Sequence, residues 1–361
     1  MTAAVSRAPE APFTLEPVDL DDPRPDEILV RITAGGLCHT DLVTKAAPPA
    51  GRCPVVLGHE GAGVVERVGR AVLGVRPGDQ VVLSYRSCRA CRLCHAGRPA
   101  YCERTALLNN SGRRADGSAT MWQDGRPLAG SFFGQSSFAT HALASADNAV
   151  VVGPGTDLTT LAPLGCGFQT GAGAVLNVLR PGPGARLVVY GAGAVGLAAL
   201  LAARAVGVRS VVAVDVHPER RAHAARLGAG AALDPAGADL VAAVREATGG
   251  GATHALDTTG VPAVVAHAAK ALAPTGTLVV VGLGEAELTV DLMDILLNGK
   301  TVRGCIEGDA VPERFIPRLL DLHATGRFPV EELITTYPFE DINRAVADHR
   351  SGAVVKPVLV W

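Results

Sequence analysis

Net charge is nearly absent from this chain: 33 Lys and Arg against 35 Asp and Glu leave a formal charge of -2 over 361 residues. Nucleic acid demands a basic face for its phosphates, so that class of partner is disfavoured and a small uncharged molecule is the simplest expectation. Long apolar runs are missing too. The longest uncharged apolar run, 187–203, is broken by three glycines and stops at Arg204, short of the roughly 20 residues of a bilayer-crossing helix. No basic segment followed by a continuous apolar core opens the chain, so a secretory leader is not expected and a cytoplasmic protein is. Internal repeats and low-complexity stretches are also lacking. With 48% hydrophobic and 19% charged residues, disorder is not the expectation and the length supplies core for about two domains.

What the chain does have is cysteine in a pattern. Of its eight cysteines, Cys88, Cys91, Cys94 and Cys102 are spaced C-x2-C-x2-C-x7-C, tight enough to place four thiolates around one tetrahedral zinc, a closed structural site. Arg86, Arg89, Arg92 and His95 surround them, and the arginines are expected to offset the thiolate charge. A sparser set, Cys38, His59 and Cys166, offers three soft ligands and leaves a fourth position open, the arithmetic of a catalytic zinc. These three lie too far apart in sequence for spacing to join them. In a reducing compartment the thiols read as metal ligands or buried side chains and not as disulfides; Cys53 and Cys305 read as inert core residues.

From residue 25 to about 160, short β-rich runs at 28–32, 63–68, 80–83 and 139–142 are punctuated by Gly and Pro, which predicts a barrel-like β domain. Within it, 103–130 holds turn formers without apolar rhythm and reads as a long excursion. From about 161 to 320 apolar strands at 186–190, 210–214, 253–257 and 277–281 alternate with helical segments at 194–206, 218–227, 240–248 and 262–272. That alternation predicts a doubly wound α/β domain with a parallel sheet. A helix near 339–349 and a strand at 356–360 follow, the strand expected to rejoin the first domain. The expected division is therefore 1–160, 161–320 and a returning segment 321–361.

Gly191-Ala192-Gly193-Ala194-Val195-Gly196 directly follows one of these strands and opens a helix. The first glycine permits the tight turn, the second lets backbone approach a pyrophosphate, and the third lets helix and strand pack closely. Asp215 ends the next strand, where a carboxylate can accept ribose hydroxyls and repel a 2′-phosphate; NAD is expected over NADP, a preference softened by Arg220 and Arg221. A helix N-cap before Pro218 is the structural alternative for Asp215.

The segments 36–41 (Gly-Leu-Cys-His-Thr-Asp), 58–63 (Gly-His-Glu-Gly-Ala-Gly) and 164–167 (Leu-Gly-Cys-Gly), with the four-cysteine lobe and the glycine turn in this order, resemble the zinc-dependent alcohol dehydrogenases of the medium-chain dehydrogenase/reductase superfamily. The likeness covers essentially the whole chain. Segments 132–140 and 165–177 look like the aryl-alcohol (benzyl alcohol) dehydrogenase branch, which includes enzymes of allylic terpene alcohols such as geraniol. The resemblance implies a GroES-like β-rich catalytic domain with the structural-zinc lobe, a Rossmann nucleotide-binding domain, two Zn2+ per chain, NAD, and a homodimer or homotetramer. It makes Cys38, His59 and Cys166 the catalytic-zinc ligands and Glu60 a carboxylate that approaches the metal transiently. Asp41 becomes the acceptor for the other ring nitrogen of His59, and Thr40 the hydroxyl that takes the substrate's proton. His39 falls at a cofactor-pyrophosphate contact, while Thr170 and Val195 pack on the nicotinamide. Where several relatives carry a histidine that closes a proton relay to solvent, this chain has Val43.

The activity so implied is reversible oxidation of a primary aromatic or allylic alcohol to the aldehyde, with Phe132, Phe133 and Tyr85 as flat walls of an apolar pocket. A thiol-adduct-dependent formaldehyde dehydrogenase shares the metal and cofactor motifs; Arg104, Arg113, Arg114 and Arg126 keep it open. A non-catalytic relative that only binds zinc and nucleotide would show a lost ligand, and none is lost.

Overall fold

The computed structural model describes residues 1–48, 53–237 and 239–361, and contact density divides the chain into two compact units. Met1–Cys166, Val311–Pro317 and Ile334–Trp361 form the first; Gly167–Ala310 and Arg318–Leu333 form the second.

In the first unit the ten-residue strand Glu27–Gly36 organises a seven-stranded sheet. Alternation puts Ile28, Val30 and Ile32 on its inner face, where they meet Val65, Val81, Leu83 and Ala142. Gly61–Val68 pairs along one edge of it, while the other edge is shared: His141–Ser145 pairs with the first half and the terminal strand Lys356–Val360 with Ala34, Gly35 and Gly36. The return of the terminal strand agrees with the sequence reading. A second cluster gathers Leu37, Leu42, Leu57, Phe132, Phe138, Tyr337, Phe339 and Leu359. Three local expectations need correction. The strand expected at 139–142 lies at His141–Ser145, and Ala139 makes only an isolated bridge to Ala3. The helical segment expected at 339–349 opens as a 3-10 turn, Phe339–Asp341, before the α-helix Ile342–Ser351. The excursion 103–130 is more ordered than its composition suggested: it contains a π-turn, Ala106–Asn110, and a hairpin, Met121–Gln123 with Arg126–Leu128, that pairs with Asp19–Leu20.

The second unit is a six-stranded parallel sheet. Numbered in chain order, Arg186–Tyr190, Ser210–Val214, Ala231–Leu233, Ala252–Asp257, Leu272–Val280 and Thr301–Gly304 lie 3-2-1-4-5-6, the doubly wound Rossmann arrangement. Its strands are runs of Val, Leu and Ala because both faces are covered; Val188, Val212, Ala255 and Leu278 are fully or almost fully buried. Strand order reverses between Arg186–Tyr190 and Ala252–Asp257, so the crevice outside their carboxyl ends is the expected ligand position. Gly191 begins the turn there. Among the described residues no helix is long and apolar enough to cross a membrane.

Candidate active site

Cys38 and Cys166 meet His59 and Glu60 in the first unit, with one ligand atom from each lying within 4.8 Å of all the others. Cys38 caps the helix His39–Ala46, and Asp41 in the first turn accepts the Cys38 amide at 3.0 Å. The same carboxylate accepts the Gly58 amide at 3.0 Å and lies 2.9 Å from His59 Nδ1. One buried acid therefore sets both the entry of the helix and the orientation of the imidazole. With Nδ1–H donating to Asp41, the Nε2 lone pair faces the thiols; Nε2 is buried and has no hydrogen-bond partner in the structure. An orphaned imidazole nitrogen beside two buried thiols is what a zinc ion satisfies, and the donor set fits that metal.

Electrostatics point the same way. The hydrogen bond from Cys166, against the penalty of burial, holds the Cys38 thiol well below its ordinary range, with Lys356 and His59 adding to it. Burial disfavours a charged His59, yet Asp41 outweighs it and raises the ring's basicity well above the ordinary value. A carboxylate that favours a proton on the ring also favours a cation at Nε2. Glu60 is pushed up by burial, a shift opposed by Lys356, whose ammonium lies 2.9 and 2.7 Å from the two carboxylate oxygens and 3.2 Å from the Leu37 carbonyl.

The phenylalanines stand against the same imidazole. Phe132 meets it edge-on at 5.4 Å between centroids, Phe133 lies tilted over it at 4.6 Å, and the two rings are 4.8 Å apart. Phe133 adopts a left-handed backbone, φ 50°, followed by Gly134 at 65°. Phe132 is buried in the core cluster while Phe133 is half-buried, so the two are not equivalent walls. Tyr85 is also buried. Thr40 is half-buried, its Oγ1 3.7 Å from Cys38 Sγ; His39 and Val43 are exposed.

The four lobe thiols Cys88, Cys91, Cys94 and Cys102 cluster within the same 4.8 Å limit. Backbone amides of Cys91, Cys88 and Arg104 point at sulfur, at 3.3 Å to Cys88 and at 3.2 and 3.4 Å to Cys102, as thiolates require. These four also fit zinc. Of the arginines expected to offset the thiolate charge, Arg89 also pairs with Asp147 and Glu313, and Arg86 lies 3.9 Å from Asp26. The three backbone amides add their dipoles to that compensation. No cysteine among the described residues is in a disulfide, and Cys305 is buried, its thiol pushed up to about 12 by that burial.

In the second unit each glycine of the turn has its own reason. Gly191 has φ 90°, and a Cβ there would lie 2.3 Å from Thr258 Oγ1; a Cβ on Gly196 would lie 1.8 Å from the Gly191 carbonyl. At Gly193, the N-cap of the helix Ala194–Ala205, the nearest atom to a Cβ is Arg220 Nη1 at 4.0 Å, which leaves the approach open. This cradle fits a dinucleotide pyrophosphate. Asp215 accepts the Ala192 amide at 2.7 Å and the His217 amide at 2.8 Å, with Arg220 Nη1 4.0 Å away. It is not the N-cap of Pro218–Arg226, a position held by His217. Each oxygen retains a lone pair for a hydroxyl. Arg221 is spent on the Asp215 and Val216 carbonyls and on Asp234, which leaves Arg220 as the cation nearest the turn. Thr170 lies on Gly167–Gly173 and Val195 on Ala194–Ala205, both within this unit.

Two residues escaped the sequence reading. Lys356 holds Glu60 from a strand nearly three hundred positions away, and Gln135 bridges the His59 carbonyl and the Gly61 amide, both at 3.0 Å. The one signal was a lysine at the start of an otherwise apolar terminal strand. Arg114, kept open for an anionic thiol substrate, is buried between Glu27 and Asp21 and bound to both, so it serves to anchor the 103–130 excursion.

Residues 24–154 match the alcohol dehydrogenase GroES-like domain and residues 194–325 the zinc-binding dehydrogenase domain. Geraniol dehydrogenase of Castellaniella defragrans is 50% identical over 363 residues, covering 99% of this chain and 97% of its own. The crystal structure of an alcohol dehydrogenase zinc-binding domain protein from Burkholderia ambifaria superposes with a TM-score of 0.97 at 48% identity, over 99% of this chain and 98% of that one. Benzyl alcohol dehydrogenase from Acinetobacter calcoaceticus superposes at 0.96 with 41% identity and the same coverage.

Proposed function

Because this chain belongs to the zinc-dependent alcohol dehydrogenases of the medium-chain dehydrogenase/reductase superfamily, we propose that it oxidises primary aromatic or allylic alcohols, benzyl alcohol- or geraniol-like, to aldehydes with NAD as hydride acceptor. The observation that carries the substrate class is the pair of phenylalanine rings packed on the imidazole of His59 beside two buried thiols. Flat apolar faces at that position suit a planar benzylic or allylic group and leave a small alcohol such as ethanol underfilled.

Cys38, His59 and Cys166 are the residues assigned to the catalytic zinc, with Glu60 beside them, and Cys88, Cys91, Cys94 and Cys102 to the structural zinc. When bound, the catalytic ion supplies Lewis acidity of the kind that lowers the pKa of water from about 16 to about 7, and NAD supplies the hydride acceptor. Thr40, close to Cys38, takes the hydroxyl proton. Since Val43 offers no imidazole, exposed His39 is the group of this chain that would carry the proton onward, unless the cofactor, when bound, supplied a hydroxyl for it. Asp41 keeps His59 in the tautomer that presents Nε2. Gly191, Gly193 and Gly196 seat the pyrophosphate, Asp215 takes the ribose with Arg220 near it, and Thr170 and Val195 flank the nicotinamide. Residues 1–160 with 321–361 serve as the catalytic domain in this reading, and 161–320 as the nucleotide-binding domain.

The test is NADH formation at equal concentrations of benzyl alcohol, geraniol and ethanol, first with NAD and then with NADP. Turnover of the first two with NAD is the expected result. Activity only after formaldehyde and a small thiol are added together would replace this reading with the thiol-adduct enzyme, which the burial of Arg114 already weakens.

A cytoplasmic homo-oligomer completes the proposal. The thiols suit a reducing compartment. Beside the sheet-edge strand Thr301–Gly304, the helix Leu292–Asn298 has no buried residue and exposes Leu292, Met293, Leu296 and Leu297, the last at 75%. An apolar face of that kind beside an open strand edge suits a second copy of the chain.

A further inference from the structure

The loop that follows Thr301–Gly304 is held in a costly conformation. Glu307, Gly308 and Asp309 have φ of 51°, 66° and 49°, three successive residues in the left-handed region, of which only the glycine rests there without steric penalty. Such geometry persists only where the surroundings over-determine it. Here they do. The Cys305 amide bonds the Val280 carbonyl at 3.0 Å, Asn177 Nδ2 bonds the Gly308 carbonyl at 3.0 Å, and Arg303 bonds Asp309 at 2.8 Å. Glu307 itself is buried, and its Oε2 accepts from Nε2 of fully buried Gln169 at 2.9 Å.

Gln169 belongs to the helix Gly167–Gly173, which is gripped on two faces by backbone. A Cβ on Gly308 would lie 2.4 Å from the Gln169 carbonyl and 3.1 Å from that of Thr170; a Cβ on Gly171 would lie 2.0 Å from the Val195 carbonyl. The left-handed loop thus presses the helix that carries Thr170 onto the helix that opens from the glycine turn. Such close approach leaves the spacing of Thr170 and Val195 little freedom, and the Glu307–Gln169 hydrogen bond ties the loop to this helix through a buried carboxylate.

We infer that Glu307 is a positioning residue for the nicotinamide end of the cofactor site: through Gln169 it fixes the Gly167–Gly173 helix, and so the gap between Thr170 and Val195 in which the ring is held. The inference rests on the NAD-dependent reading above. It is the acceptor geometry of Glu307, and not its charge, that does the positioning, so an amide that keeps an acceptor oxygen substitutes for it.

The experiment measures NADH dissociation constants by calorimetry, with KM for NAD and kcat, in wild type, Glu307→Ala, Gln169→Ala, the double variant and Glu307→Gln, with zinc content checked in each. The expected result is that both single alanine variants weaken NADH binding and raise KM for NAD about tenfold, with kcat at saturating cofactor within about threefold of wild type. The double variant is no worse than either single, and Glu307→Gln stays near wild type. A Glu307→Ala protein that binds NADH as wild type does, additive effects of the two alanine substitutions, or a Glu307→Gln variant as impaired as the alanine one, each overturns the inference while the NAD reading stands. A wild-type chain that binds no nicotinamide cofactor overturns that reading first and the inference with it. Should Glu307→Ala fail to fold, Gln169→Ala and Glu307→Gln carry the same comparison.

Discussion

Asp41 holds three groups at once: the Cys38 amide, the Gly58 amide and the His59 ring. Replacing it by asparagine keeps the shape and removes the charge that makes Nε2 a good donor to a metal. Asp41→Asn is expected to lower zinc affinity at this site by about 10–100-fold. Dialysis against a chelator should then leave only the lobe zinc bound, whereas full retention of both ions would show that Asp41 has no part in holding the metal. Tyr190 makes the opposite case. Its hydroxyl is buried at the end of a central strand with no hydrogen-bond partner, and burial next to Asp257 pushes its ionisation up. Tyr190→Phe removes an unsatisfied polar group and is expected to raise stability by about 1 kcal/mol in urea unfolding; a loss of similar size would reveal a partner for the hydroxyl. At this scale the sequence was legible where a residue's neighbours in the chain are also its neighbours in space. The three glycines of the turn and the four lobe cysteines could be read for that reason, whereas Cys38, Asp41, His59, Glu60 and Cys166 were joined by the family resemblance of the short segments around them. Lys356 and Gln135 could not be read, because what defines them is a partner brought in by folding from a remote segment.

Among elements, the helix Leu292–Asn298 is held down by one buried side chain. Lys300 Nζ bonds the Ala269 and Lys270 carbonyls at the end of Pro262–Ala271, at 3.0 and 3.2 Å, and Asp294 Oδ2 at 2.7 Å. It therefore caps one helix and tethers another. Lys300→Met strands these acceptors and is expected to cost about 2 kcal/mol, less than for a fully enclosed pair because Asp294 is partly exposed. Differential scanning calorimetry checks the size, and an unchanged transition would deny the tether. The parallel strands Arg186–Tyr190 and Ser210–Val214 coincide with their sequence assignments at both ends, since continuous apolar runs bounded by glycine or charge leave little freedom. The β-rich unit was harder to read. Its strands pair with distant partners, and the edges of His141–Ser145 are set by register with Glu27–Gly36 and not by anything local. The helix His39–Ala46 is too short for its periodicity to stand out, and the excursion 103–130 owes its order to Arg114, whose acidic partners precede it by about ninety residues.

For the molecule as a whole, the exposed apolar helix and the open strand edge predict that Leu296→Glu shifts the protein towards a monomer, which light scattering after gel filtration would detect. A wild type already monomeric would remove the basis for the homo-oligomer. The two-unit architecture follows from the change of rhythm along the chain, and four of the six strands of the doubly wound half were legible; Ala231–Leu233 and Thr301–Gly304 were not, being three or four residues long with little apolar run of their own. The first unit was less so because it is discontinuous: the strand Lys356–Val360 completes a sheet begun at Glu27, and Lys356 is what neutralises Glu60 beside the thiols. That arrangement has a bearing on biosynthesis. The second unit comprises Gly167–Ala310 and Arg318–Leu333, so all of its residues are synthesised before the strand Lys356–Val360 that the first unit needs. The cluster of Cys38, His59, Glu60 and Cys166 therefore takes its folded form only with the last strand in place, because the lysine that binds Glu60 arrives on it.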